Sequence, residues 1–340
     1  TCHEDSQELR RRSDFIFFGF DLRDWNLQDD AAEPLRGVAI PPPRAAKKQY
    51  DPHKSPRYFL TFRGSLLGGD VIVRSQLSNS FNGYSEKHPE VQIHISPTQP
   101  GTPGFWELMD TAYALVPRRR ARWSYRFGEV LGSCAIPVVL ADGWTLPFAN
   151  LINWSEASVR IAQVHAKDPD ALLQLLPRDP AIIRRMREKA CAIYAEFFAT
   201  EQKRAFGLLR SVRAFLGGSR AAIGSEGALG ASMVQEATTT AATTTAQPVE
   251  TSFTGIRAPK PTCDGVRFQL STKPFGKKES WRIDEIGHLV RALAGLPCIV
   301  DDPVQADFVF TWGFQECAGW EADALLALPN RSLERPYLVW

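Results

Sequence analysis

The chain has 340 residues, 44% of them hydrophobic and 23% charged, with a formal net charge of +2. That balance is ordinary for a globular protein and leaves room for about two domains. It excludes a wholly disordered chain, and the near-neutral total gives no global attraction to nucleic acid or to an anionic membrane.

Residues 14–19 (Asp-Phe-Ile-Phe-Phe-Gly) form an apolar run, followed by a polar, proline-rich passage to about residue 56. Ile40-Pro41-Pro42-Pro43 breaks regular structure there, so 1–56 is read as an irregular segment that ends a preceding lobe. From Arg57 strands and helices alternate. Tyr58–Phe62 reads as a buried strand ending in Arg63-Gly64, 70–80 as a helix, Val91–Ile95 as a strand, 104–111 as a helix, and Tyr113–Val116 as a third strand. A helix over 124–135 leads into the strand Ile136–Leu140, Ser158–Ile161 adds a short strand, and two long helices near 179–199 and 201–216 close the block. In the first of these, Ile183, Met186, Ala190, Ile193 and Phe197 recur at helical spacing and predict a core-facing stripe. The alternation predicts an α/β, Rossmann-like parallel sheet over 57–216, covered on both faces.

Residues 217–262 are rich in Gly, Ala, Ser and Thr, including Thr238-Thr239-Thr240-Ala241-Ala242-Thr243-Thr244-Thr245. Such a stretch has too little apolar surface to offset its ordering entropy and is read as a disordered linker. A second, partial α/β block follows over 263–340. It has an amphipathic helix carrying Ile283, Ile286, Leu289, Val290 and Leu293, strands at Cys298–Val300 and Phe308–Phe310, a helix at 321–328 and a strand at 337–340. With no initiator methionine before Thr1, no signal peptide and an apolar strand running out at Trp340, the sequence is expected to be part of a longer protein.

Six cysteines (Cys2, Cys134, Cys191, Cys263, Cys298, Cys317) show no metal-ligand spacing. Cys134 and Cys191 fall on apolar faces of expected helices and read as core thiols; a disulfide among the others has no assignable partner. The scattered histidines make no metal set, and no Asp-x-Asp lies near the candidate pocket, so no metal cofactor is expected. Asn153-Trp-Ser155 and Asn330-Arg-Ser332 fit the N-glycosylation sequon. Asn153 lies in a stretch expected to be packed, which argues against that site.

Chemistry concentrates after Pro117, where Arg118, Arg119, Arg120, Arg122 and Arg126 cluster. Ser124 is placed to cap the following helix, whose Phe127, Val130, Leu131 and Cys134 make a buried face. Arg122, Arg126 and Glu129 lie along another face. A helix start already favours anions, guanidinium groups bind phosphate oxygens bidentately, and a carboxylate one turn on can accept ribose hydroxyls. Together these suit a nucleotide diphosphate. Two other readings stay open: a solvated charged face with a simple Arg126–Glu129 pair, and a nucleic-acid patch flanked by Trp123 and Tyr125.

Leu115-Val-Pro-Arg-Arg-Arg120, Ser124-Tyr-Arg-Phe-Gly-Glu129, Cys134-Ala-Ile-Pro-Val-Val-Leu140, Asp142-Gly-Trp-Thr-Leu-Pro-Phe148 and Ile152-Asn-Trp154 together resemble the exostosin family of glycosyltransferases in order and spacing. Ile40-Pro41, Phe59-Leu-Thr-Phe-Arg-Gly64 and Arg74 extend the likeness upstream. One departure is Arg119, where the family carries glycine; it adds charge and would be strained if the loop needs a positive φ there. Asp302-Pro-Val-Gln-Ala-Asp307 and Phe308-Val-Phe310 are similar to the start of the family's acceptor-side domain.

The resemblance implies a two-lobed (GT-B type) glycosyltransferase that moves a sugar from a nucleotide sugar, a UDP-sugar in the first instance, to a glycan or glycoprotein acceptor with inversion. Carried over residue by residue, Arg74, Arg118 and Arg126 become diphosphate ligands, Ser124 a phosphate contact and Glu129 the ribose carboxylate; Arg122, on the same helix face as Arg126, is a further substrate-binding candidate. Trp144 and Phe148 are read as packing or pocket wall. The resemblance also implies a Golgi lumenal setting with a membrane anchor outside this sequence. A catalytic base is not assignable; it would come from the opposite lobe, so this chain alone is expected to bind donor without turnover. A non-catalytic sugar-nucleotide-binding relative is the alternative.

Overall fold

The computed structural model describes residues 15–19, 37–42, 46–64, 72–89, 91–97, 104–118, 122–223, 266–270, 280–302, 305–311 and 337–339. In chain order these hold β1 (Phe15–Gly19), β2 (Gly37–Ala39), β3 (Tyr58–Gly64), α1 (Ile72–Ser80), α2 (Tyr84–Lys87), β4 (Ile93–Pro97) and β5 (Thr111–Pro117). Then come α3 (Arg126–Gly132), β6 (Ile136–Leu140), β7 (Val159–Arg160), α4 (Pro169–Gln174), α5 (Pro180–Ile193), α6 (Glu201–Ile223), β8 (Phe268–Leu270), α7 (Ser280–Ala294), β9 (Phe308–Thr311) and β10 (Tyr337–Val339).

Five strands make a parallel sheet in the order β4-β3-β5-β6-β7. All seven residues of the central strand β5 are buried, which is why Thr111–Pro117 reads as a continuous apolar run rather than an alternation. On one face Leu60, Phe62, Tyr113, Leu115, Val138 and Leu140 pack against Val73 and Leu77 of α1, Leu172 and Leu173 of α4, and Met186 of α5. On the other, Ala114, Val116 and Val139 meet Phe127, Val130 and Leu131 of α3. The predicted α5 stripe is present but divided: Ile183 and Met186 join the first core, Ala190, Ile193 and Phe197 the second. Asp179 starts α5 by accepting the Ala181 N–H at 2.7 Å, with Pro180 in the first turn. After Ile193 the helix loosens into a π turn over Tyr194–Phe198, setting Phe198 against Phe127 and Trp154.

The remaining strands make a second parallel sheet, β2-β1-β10-β9-β8. Phe15 stands opposite Tyr337, and Tyr337 opposite Val309. Its buried Phe268, Phe308 and Phe310 share a core with α7 (Leu289, Leu293), with Val38, and with Leu208 and Leu209 of α6. The Phe148 N–H also donates to Ala39 O at 2.7 Å, tying the end of β2 to the first lobe.

Several expectations need correcting. Residues 1–56 hold two strands rather than none, and the block from 263 onward pairs with them in one sheet instead of opening a separate unit. A parallel ladder can join stretches far apart in sequence, because the entropic cost of closing a loop grows only slowly with its length. The expected helix at 104–111 is a single 3-10 turn, Glu107–Met109, and the expected strand Cys298–Val300 is only an isolated bridge from Ile299 to Phe268. Helix α6 runs through residues 217–223, the start of the expected linker; 224–262 and the helix at 321–328 lie outside the described residues.

Cys134 and Cys191 are not free thiols. They form a disulfide with Cα atoms 4.7 Å apart, and Cys298 is disulfide-bonded as well. Cys134 is buried just past the end of α3 and Cys191 is half-buried on α5; helical periodicity cannot tell that the two positions touch. Cys134 stands at φ 60° just past α3. Its N–H reaches Leu131 O at 2.9 Å while the Ala135 N–H reaches Val130 O at 3.2 Å. This is the Schellman helix ending, at a position where glycine is usual.

Arg187, only 2% exposed, fastens the entry to this lobe. Its guanidinium donates to Cys134 O at 3.0 Å, Lys54 O at 2.7 Å, Asp51 O at 3.2 Å and Pro52 O at 3.3 Å. Burial lowers its pKa, while Asp110 and Asp51 push it back up.

Candidate functional site

In the order β4-β3-β5, the chain leaves β3 for β4 on one side and returns to β5 on the other. Ligands of open parallel sheets bind beyond the carboxyl ends of the strands at such a switch. Here those ends are Gly64 and Pro117.

Three of the arginines singled out in the sequence come to this place. Arg118 directly follows β5, and its N–H donates to Leu140 O at 3.0 Å, extending the β5–β6 ladder by one residue. Arg74 lies in the first turn of α1, 6% exposed, between the core residues Val73 and Leu77. Its Nε donates to Arg118 O at 3.3 Å, so Arg74 holds the loop after β5 from the far side of the switch. Gly64 makes the approach possible. A Cβ there would stand 2.7 Å from the Phe62 ring and 3.5 Å from Arg74 Nη1, so a larger residue at the end of β3 would displace the phenylalanine while only touching the arginine.

Arg126 opens α3. Its guanidinium carbon lies 4.4 Å from the Phe105 ring centroid and 5.4 Å from that of Phe62, and its Nη1 is buried. Cation–π contacts of this kind hold a guanidinium in one orientation without neutralising it. Arg126 is therefore directed inward over the end of β3, not spread on a solvated basic face. Ser124 is buried, and its Oγ accepts the Arg126 N–H at 3.3 Å while its carbonyl accepts the Phe127 N–H at 3.1 Å. The N-cap position itself is Tyr125, whose side chain makes no capping bond, so the Ser124 hydroxyl acts from one residue before it. Glu129, one turn on, is buried at 8% exposure.

Arg122 goes a different way. Its Nε lies beside the Asp142-Gly143 turn after β6, 3.9 Å from where a Gly143 Cβ would be, and Gly143 has the left-handed φ of 68°. Helix α3 spans only Arg126–Gly132, shorter than the 124–135 expected. With two turns its dipole is small, so the electrostatics of the site rest on the guanidinium groups.

Trp144 and Phe148 belong to the core. Trp144 is 1% exposed and edge-on to Phe127 at 5.3 Å; Phe148 is fully buried against Phe197 and Phe198. Trp154 completes the cluster, donating its indole N–H to Pro147 O at 2.8 Å. These aromatic positions support the site from behind. The sequence reading did not single out Phe62 or Phe105 as partners of Arg126. A strand phenylalanine and one in an irregular loop carry no periodic signal linking them to an arginine further along the chain.

Among the described residues, no group of three or more His, Cys, Asp or Glu is placed to hold a metal ion, and no helix is long and apolar enough to cross a membrane.

Residues 17–176 match the Exostosin GT47 domain. The chain is similar to the Exostosin-1 homolog of Caenorhabditis elegans, 35% identical over 101 residues that cover 28% of this chain and 26% of that protein. It is similar to Exostosin-1 of Bos taurus, 32% identical over 119 residues, covering 30% of this chain and 16% of that one. It also resembles a "Probable glucuronosyltransferase" of Oryza sativa subsp. japonica, 30% identical over 161 residues, or 44% and 37% of the two chains. The aligned stretches thus take in well under two thirds of each relative. Two solved structures are more distant: the GtfA/B complex, with a TM-score of 0.35 and 9% identity over 56% of this chain and 44% of that one, and TarM, with 0.30 and 8% over 54% and 40%. Those two likenesses are too slight to carry an argument. On the matched domain and the curated relatives, the chain resembles the exostosin family of glycosyltransferases over residues 17–176, just under half of its length.

Proposed function

We propose that residues 57–216 bind the diphosphate of a nucleotide sugar, a UDP-sugar in the first instance, for transfer of a hexosyl or glycuronosyl group to a glycan or glycoprotein acceptor with inversion. The observation that carries this reading is the meeting of Arg74, Arg118 and Arg126 beyond the carboxyl ends of β3 and β5.

In this reading Arg126 and Arg118 take the diphosphate oxygens, Ser124 donates its hydroxyl proton to one of them, and Glu129 accepts from the ribose. Arg74 contributes charge and, through Arg118 O, positions the loop. Arg122 lies beside the turn at Gly143. Fixed guanidinium groups stabilise the negative charge that grows on the departing diphosphate. They supply the charge a divalent ion provides elsewhere, so we propose that the donor site needs no metal. The base that deprotonates the acceptor is unassigned. The second sheet is the acceptor side in this reading, which removes the reason for expecting the chain alone to be inactive. Disulfides at Cys134–Cys191 and Cys298 suit an oxidising lumen such as the secretory pathway, consistent with a Golgi enzyme whose anchor lies elsewhere in a longer protein.

The test is calorimetric titration of the folded chain with UDP and several UDP-sugars. Binding is expected, and Arg126→Ala should weaken it at least about tenfold, since a hydrogen bond to a charged group is worth about 1.5–3 kcal/mol. Failure of every nucleotide sugar to bind would overturn the proposal.

A further inference from the structure

We propose that Asn153 is an N-glycosylation site, carrying its glycan on the side of the lobe away from the donor crevice. The sequon Asn153-Trp154-Ser155 lies within a packed motif, yet the packing falls on one residue of the three. Trp154 is buried and anchored through Pro147 O, while Asn153 and Ser155 on either side of it are exposed. Anchoring the tryptophan inward turns its neighbours outward.

The asparagine and serine side chains meet at the surface. Ser155 Oγ donates to Asn153 Oδ1 at 2.7 Å, and Asn153 Nδ2 donates to Glu156 Oε1 at 3.1 Å. Asn153 itself has extended backbone before the short 3-10 turn Trp154–Glu156. The amide nitrogen that would carry the sugar therefore points to solvent, held only by an exposed carboxylate that also pairs with Lys189 at 2.9 Å.

Strand direction sets where the glycan would stand. Val159 is opposite Val138 and Arg160 opposite Val139 in a parallel pair, so 153–158 enters β7 from the amino-terminal side of the sheet. Arg118, Ser124 and Arg126 follow the carboxyl end of β5. A large, hydrated glycan at Asn153 leaves that crevice open. The second requirement, passage through the secretory lumen, has independent support in the disulfides. The reaction is the ordinary one for such a sequon. A lipid-diphosphate-linked oligosaccharide is the donor and an external oligosaccharyltransferase the catalyst. The C–O bond from the anomeric carbon to the diphosphate breaks, the anomeric carbon bonds to Asn153 Nδ2, and one amide proton is lost.

The experiment is secretion of the full chain from eukaryotic cells behind a signal peptide, in an Asn330→Gln background so that only Asn153 is read. We expect one peptide-N-glycosidase-sensitive mobility shift, with conversion of Asn153 to Asp seen by peptide mass spectrometry after enzymatic release. Asn153→Gln and Ser155→Ala should abolish the shift, Ser155→Thr should keep it, and all should secrete with the Cys134–Cys191 bond intact. A secreted, disulfide-bonded chain with unmodified Asn153 overturns the proposal, whether or not that chain binds UDP.

Discussion

The two sheets have five parallel strands each and opposite relations to the sequence. In the first, every strand comes from residues 58–160, and each crossover is local. In the second, β1 and β2 come from residues 15–39 and β8–β10 from 268–339, so the central pairing of β1 with β10 joins distant parts of the chain. A sheet of the first kind can form from its own stretch alone. One of the second kind exists only when both stretches are present, and its aromatic core closes on α6 of the first lobe.

Removing residues 263–340 is the most severe way to break this comparison. It leaves β1 and β2 as a two-stranded remnant, which is marginal in water, and uncovers the α6 surface that packs against Leu293 and Phe308. Hydrogen exchange should show amides of residues 15–19 and 37–39 losing protection by orders of magnitude, while those of β5 and β6 keep theirs. Equal protection of β1 in the shortened chain would mean that it does not depend on β10.

The next test falls in the first lobe alone. Cys134→Ser with Cys191→Ser removes a cross-link between residues 57 apart. By loop entropy that should lower stability by about 4 kcal/mol in urea unfolding, toward the upper end of measured disulfide effects. Cys134 also occupies the left-handed region at φ 60°, where a side chain is unfavourable by about 1–2 kcal/mol. Cys134→Gly with Cys191→Ser should therefore be more stable than the double serine variant by about 1 kcal/mol. No difference between the two would mean that the helix ending relaxes once the bridge is gone.

The same contrast explains what the sequence could and could not reveal. Tyr58–Phe62, Tyr113–Val116 and Ile136–Leu140 stood out because a strand buried on both faces is a run of apolar residues, and each lies within one of the observed strands β3, β5 and β6. Gly37–Ala39 and Phe268–Leu270 are three residues each, too short for any period to show, and only tertiary pairing makes them strands. The site divides similarly. Arg118, Ser124 and Arg126 were legible as a cluster because they are near in sequence. That Arg74 would grip Arg118 O, that Arg126 would lie on Phe62 and Phe105, and that Arg122 would turn toward Gly143 depended on how β3 and β5 come together. The disulfide was hidden for the same reason: Cys134, just past α3, and Cys191, on α5, are brought together only by the packing of the two elements.

The smallest expected effect sharpens the comparison through pH, at the edge strand of the first sheet. His94 in β4 stands opposite Thr61 and beside the Tyr58 ring. Burial holds its pKa below the ordinary imidazole range, and the charge of Arg63 lowers it further. The sign follows by linkage. With the folded value below the unfolded one of about 6.5, the unfolded chain binds more protons as the pH drops past that point. Stability should then fall on acidification from about pH 7 until the pH lies below the folded value, and fall no further on this account. Urea midpoints of the full chain at neutral and mildly acidic pH should show a modest decrease that His94→Gln makes smaller. Because His94 belongs to the first sheet, the His94-dependent part of that decrease should persist in the chain lacking 263–340. If it vanishes with the second sheet, the edge of the first sheet is coupled to the second, and the two are not separable in the way their strand order implies.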